Sequence, residues 1–140
     1  MSVRFIFDTD HLTLFEHADP LLVQRYVSIS PSDTGVSVVS VEEALRGRLA
    51  ALARARAGPI RIQAYARLTA TIRLIGLLPI VPFDQAAEDQ FQHLLSLGLR
   101  IGTSDLKVAA VALATGATLL TRNRRDFGRI PGMRLDDWSI

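Results

Sequence analysis

The chain has 140 residues, 49% of them hydrophobic, with sixteen Lys and Arg against fourteen Asp and Glu, a net charge of +2. That length suits one domain, residues 1–140, and that composition excludes disorder as the default state. With no Cys there are no disulfides, thiol nucleophiles or thiolate metal sites, which fits a reducing cytoplasm; no apolar stretch reaches the ~20 residues of a membrane span, and Asp8 interrupts the N-terminal apolar run too early for a signal-peptide core.

In chain order, residues 3–7 read as a buried strand ending at Asp8. A short helix follows over about 10–15, then a second over about 20–29 with Pro20 in its first turn. Residues 30–35 form a turn cluster, and 36–39 the next strand. Ser40 caps a long helix to about residue 57, which Gly58 and Pro59 break; another helix covers about 60–75. Residues 78–82 make a short strand whose two prolines suit a sheet edge. Asp84 caps a helix over 85–97, stopped by Gly98. An alanine-rich helix over 105–115 ends at Gly116, residues 117–121 form a strand, and 133–138 a last one. Strands alternating with helices predict an α/β fold, a doubly wound and mainly parallel sheet flanked by helices. Such sheets bind ligands beyond the carboxyl ends of their strands, where the strand order reverses.

The acids fall at that kind of place. Asp8 follows the first strand, Glu42 and Glu43 follow the second in the first turn of its helix, and Asp105 opens the alanine-rich helix. Asn123 and Asp126 follow the strand ending at Thr121. In a parallel sheet these positions converge on one edge. Packed carboxylates repel one another unless a cation offsets them, and an all-oxygen set suits Mg²⁺ or Mn²⁺ rather than zinc. Two such ions about 3.5–4 Å apart activate water and stabilise the leaving oxygen in phosphodiester cleavage. Each acid also has a local reading. Ser40 and Glu43 match a capping box, Asp105 complements a helix N-terminus, and Asp126 reads as a loop acid. Asp8 is harder to explain locally, because it closes an otherwise apolar strand.

Fifteen of the sixteen cations are Arg, clustered over 46–73 and 122–134, and Lys107 is the sole Lys. Arg favours bidentate phosphate contacts, so a nucleic-acid partner fits; a GC-rich genome that prefers Arg codons explains the bias equally well.

The motifs carry a resemblance. Phe7-Asp8-Thr9-Asp10 resembles the opening Asp-Thr-Asn of PIN domains, with Asp10 in place of the usual Asn. Residues 40–47, with Glu43 and Gly47 four apart, resemble the second motif, 101–110 around Asp105 the third, and 120–127 the fourth. Residues 130–138 are similar to the tail of VapC-type toxins. The resemblance spans almost the whole chain and implies a PIN-like ribonuclease, the toxin half of a type II toxin–antitoxin pair. It implies Asp8, Glu43 and Asp105 as metal ligands, with Asp126 the fourth acid and Asn123 its alternative. Glu42 reads as a helix-surface neighbour, Lys107 as a phosphate contact or a solvated cation, and His11, His17 and His93 as structural.

The same resemblance implies cleavage of RNA by metal-activated water, with the 3′ oxygen leaving, and Mg²⁺ or Mn²⁺ as cofactor. It also implies a homodimer bound by a small VapB-like antitoxin; the apolar helices around 12–15 and 49–52 are candidate seats, with ordinary core packing as the alternative. Arg122, Arg124 and Arg125 lie beside the acids and are candidates for holding the RNA backbone. Two other functions fit the same features: a housekeeping PIN nuclease for RNA processing, and an inactive PIN-like RNA-binding module. A doubly wound phosphatase lacks support, since neither a Gly-rich phosphate loop nor a nucleophile signature is present.

Overall fold

A computed structural model describes residues 3–140. Its sheet is built on Phe5–Phe7 (β1), flanked by Thr34–Ser37 (β2) and Thr118–Leu120 (β4), with Ile80–Val81 (β3) and Leu135–Asp136 (β5) at the edges. The order is β3-β2-β1-β4-β5 and every pairing is parallel. The chain winds one way from β1 to β3 and then returns to the other side of β1, so the order reverses between β1 and β4.

Strand alternation sends side chains into two cores. Ile6 and Leu119 pack with Gln85–Ser96 (α5) and Thr103–Thr115 (α6) on one face. Phe7, Val36 and Leu120 pack on the other face with Leu12 of Thr9–Glu16 (α1), Leu22 of Pro20–Val27 (α2) and Trp138. The α6 helix is buried almost all round, from Leu106 through Ala112, which its run of alanines and valines allows. It ends at Gly116 in the left-handed region, φ 75°. Val38–Arg54 (α3) and Pro59–Ile75 (α4) form a helical hairpin whose second arm is mostly exposed. Among the described residues no helix is long and apolar enough to cross a membrane.

The expected alternation and the edge placement of the proline-flanked strand are both observed. The region before α3 differs from expectation. Thr34 and Gly35, expected in a turn, are buried strand residues, and only Pro31–Asp33 forms a 3-10 turn. Gly35 is required there: a Cβ would stand 2.7 Å from the Pro79 carbonyl oxygen. The strand ends two residues early because Ser37, not Ser40, caps α3, its hydroxyl accepting from the Ser40 N–H at 3.1 Å. Glu43 therefore lies in the second turn of α3, where the capping-box role is closed to it. The segment after β4 contains a short helix, Arg124–Phe127 (α7), rather than a loop.

Candidate metal centre

Asp8 leaves β1 at the reversal point. Its backbone N–H donates to the Leu120 carbonyl at 3.0 Å, tying it to the end of β4. It then caps α1, Oδ1 accepting from the His11 N–H at 2.7 Å, and is only 6% exposed. A carboxylate so buried needs compensation, which the helix N-terminus supplies in part.

Glu43 arrives from α3 and is held from the β1 side. Thr9 donates its hydroxyl at 2.9 Å from Glu43 Oε1 and 3.0 Å from Ser40 Oγ. A hydroxyl has one proton, so Thr9 orients Glu43 while sharing Ser40 as a neighbour. Asp105 projects from the first turn of α6, behind the cap residue Gly102. Burial pushes its carboxyl pKa up, and the negative charges of Glu43, Asp8 and Asp126 push it further. Asp105 thus stands within the field of acids carried by three other parts of the fold.

Asp126 and Asn123 are not equivalent. Asn123 caps α7, Oδ1 accepting from the Asp126 N–H at 3.2 Å while Nδ2 donates to Asp126 Oδ2 at 3.1 Å. Arg129 donates to Asp126 Oδ1 at 2.9 Å. The Asn123 bond, with Arg129, holds the Asp126 carboxyl below the usual range. Asp126 is thus the charged member, although both its oxygens are engaged within the chain.

Sharing Asp8 with this quartet, a second group of Asp8, Asp10 and His11 presents three possible ligand atoms, all within 4.8 Å of one another. Asp10 is engaged: Arg122 donates Nε and Nη2 to its two oxygens, each at 2.7 Å, which holds its carboxyl low. Arg122 is therefore clasped at the rim. Among the described residues the Arg124 and Arg125 guanidinium groups have no hydrogen-bonded partner. Lys107 lies over the Phe91 ring at 5.7 Å, and Glu42 pairs with Arg46 on the exposed face of α3.

Sequence reasoning overlooked Thr9 and read His11 as structural. The Asp-Thr pair carried the signal for Thr9, whose side chain leaves the same strand end as Asp8. His11 stands three residues after a capping Asp, so one helical turn brings it back over that carboxylate.

The PIN domain family model matches residues 9–133. The chain belongs to the PIN domain family. Within the family it is similar to the "tRNA(fMet)-specific endonuclease VapC" of Salmonella typhimurium, 26% identical over 97% of this chain and 98% of that protein. It is also similar to "Ribonuclease VapC2" of Rickettsia felis, 49% identical over 30% of this chain and 31% of that one. The PIN fold is shared with the DNA-bound VapBC structure from Salmonella typhimurium, TM-score 0.77 at 22% identity, covering 97% of this chain and 98% of the other. VapBC-1 of nontypeable Haemophilus influenzae gives a TM-score of 0.76 at 20% identity, covering 99% and 100%. Around the PIN motif glycine Gly47 the space where a Cβ would stand is open, with nothing within 4 Å, so no packing inside this chain requires a glycine there.

Proposed function

We propose that this PIN domain, residues 1–140, is a Mg²⁺- or Mn²⁺-dependent endoribonuclease and the toxin of a type II toxin–antitoxin pair. The observations that carry the reading are the place of Asp8 at the reversal point of the sheet and the negative charge that Glu43, Asp8 and Asp126 bring to bear on Asp105. The donor set fits a hard divalent cation: all oxygen, net negative, and raising the proton affinity of Asp105 where no cation offsets it. Asp8, Glu43 and Asp105 would hold the cation, with Asp126 as the fourth charge. Bound there, a divalent cation supplies an acidified water and neutralises charge on the phosphate.

The chain's own residues do the rest. Thr9 aims Glu43, and the α1 N-terminus fixes Asp8. Arg124 and Arg125 stand exposed at the start of α7, suited to backbone phosphates, which position RNA without reading its sequence. Arg122 joins them only on leaving Asp10. RNA as substrate and an antitoxin as partner follow the named relatives, an endonuclease and a ribonuclease, and the VapBC structures.

The surface favours a partner. On α4, Ile62 is 70% and Tyr65 55% exposed, and Ile72 lies on the same stripe. A groove of about 700 Å³ runs along α3, lined by Val38, Val41, Leu45 and Leu49. Of the two expected seats, 49–52 opens onto this groove, while Leu12 is buried in the core. An amphipathic antitoxin helix suits the groove, and a second copy completes a homodimer.

The test is cleavage of structured RNAs, an initiator tRNA among them, with Mg²⁺ or Mn²⁺ and with chelator. Wild type should cut only with metal, and Asp8→Asn, Glu43→Gln and Asp105→Asn should each abolish cutting while remaining folded. Full activity in any folded variant removes that residue from the set. Expression of the active chain without ill effect on the host argues against the toxin role and for RNA processing.

A further inference from the structure

We propose that His11 is a positioning residue for Asp8: its buried ring, oriented by the C-terminal segment, reserves one Asp8 oxygen and leaves the other for a cation. The inference rests on the reading of Asp8 as a metal ligand, and it concerns a side chain that reading leaves without a task.

His11 is fully buried, 0% exposed, beneath Phe7 and beside Trp138. Its two ring nitrogens face different parts of the chain. The Trp138 backbone N–H donates to Nε2 at 3.2 Å, across 127 positions of sequence. A nitrogen that accepts cannot carry the ring proton, so in the neutral ring the proton sits on Nδ1. Nδ1 is buried and has no hydrogen-bond partner. Its nearest acidic neighbour is Asp8 Oδ1, at 3.6 Å. A buried N–H without an acceptor is costly, and a shift of a few tenths of an ångström brings this one within reach of Oδ1.

Oδ1 already accepts the His11 backbone N–H at 2.7 Å. The same residue therefore presents backbone and ring donors to a single oxygen. Among the described residues no donor is bonded to Oδ2, which is the oxygen left for a cation. The arrangement works as the outer-shell partner of a ligating carboxylate does, fixing which lone pairs are offered. The ring is in turn held from the tail. Asp137 Oδ1, 3.4 Å from Nε2, is taken up by the Ser139 N–H and hydroxyl, from which it accepts at 2.8 and 2.6 Å, and the turn so formed carries the Trp138 N–H to the ring. Trp138, itself 0% exposed, packs 5.1 Å from Phe5 and edge-on to Phe7, which anchors that turn to β1. The acid that ends the first strand is thus braced by the last residues of the chain.

The two ring nitrogens separate in two substitutions. Asn places its amide N–H where Nδ1 stood, and Gln reaches the position of Nε2 toward Trp138. Mn²⁺ binding is measured by titration calorimetry on metal-stripped chains, with near-ultraviolet circular dichroism as the check of fold and Asp8→Asn as the reference for lost binding. His11→Gln should weaken Mn²⁺ by about 10–100-fold, as outer-shell losses do, and His11→Asn should restore most of that loss. Wild-type affinity in His11→Gln overturns the inference, as does equal loss in both variants, which is the pattern of a purely structural residue. Wild-type Mn²⁺ affinity in Asp8→Asn instead overturns the ligand reading of Asp8, and this inference with it. A measurement on the unaltered chain needs no variant to fold. Nitrogen-15 spectra of labelled histidine should show His11 protonated on Nδ1, its Nδ1–H signal shifting on addition of Mg²⁺. A proton on Nε2 overturns the inference.

Discussion

Arg122 donates Nε and Nη2 to the two oxygens of Asp10 across 112 positions of sequence, each bond 2.7 Å long. Fork-to-fork pairing of this kind is directional, although both side chains are about half exposed and the pair adds little stability. Its consequence is positional: Arg122 is held at the rim of the site by a carboxylate standing where PIN domains usually carry an amide.

Releasing that arginine should change RNA binding. In an Asp105→Asn chain, used so that RNA survives, adding Asp10→Asn should tighten binding and steepen the log–log salt slope by roughly 0.7–0.9, the increment expected when one more phosphate is neutralised. Arg122→Ala in the chain that keeps Asp10 should flatten the slope less than Arg124→Ala or Arg125→Ala. Filter binding over a salt series checks this; an unchanged slope with Asp10→Asn means Arg122 does not reach the backbone.

Asp105 should make stability depend on pH. Its folded pKa lies above the ordinary aspartate value of 3.8, so the fold binds this proton more tightly than the unfolded chain does. The resulting stabilisation is full below 3.8 and is lost as pH rises through the raised folded value. Metal-free Asp105→Asn escapes that loss, so it should melt higher than wild type at neutral pH, with the gap closing in acid. Thermal unfolding across pH, with chelator present, is the measurement. A gap that persists unchanged below 3.8 would assign the effect to packing rather than to charge.

Thr9 should matter to catalysis more than to folding. Thr9→Val removes the donor to Glu43 Oε1 while keeping the side-chain volume. Single-turnover cleavage should fall about 10-fold or more, the scale of lost outer-shell partners, and Thr9→Ser should recover most of it. A melting temperature that falls in step with activity would point to a folding defect instead.

Two glycines should respond with opposite signs. Gly35→Ala forces a Cβ to 2.7 Å from the Pro79 carbonyl oxygen, and overpacking of this kind costs about 1–3 kcal/mol. Gly47→Ala meets open space in the middle of α3 and should stabilise the isolated chain by up to about 1 kcal/mol. Denaturant unfolding reads both. A loss of antitoxin binding in an otherwise stabilised Gly47→Ala chain would show that this glycine serves the partner.

Much of the architecture was legible because its causes are local. Apolar runs closed by Asp8 and Thr121, the cap at Asp84 and the left-handed Gly116 are written in neighbouring residues, and the structure places elements where they point. Element boundaries near Ser37 were not legible. Ser37 and Ser40 are both good caps, and the choice falls to Ser37 because Thr34 and Gly35 pair with Phe5 and Ile6 of β1, which no local pattern records.

The sequence by itself determined the α/β alternation, the placement of the acids after strands, and the PIN motifs, since each depends on residues within a turn or two of one another. The tertiary structure alone decided how those acids are held. Thr9 meets Glu43 across 34 positions, Arg122 meets Asp10 across 112, and Trp138 meets His11 across 127. Contacts at such separations exist only after the parallel sheet has brought the ends of β1, β2, β4 and β5 to one edge. Their partners are chosen by that packing, and periodicity, which reports one element at a time, carries no trace of them.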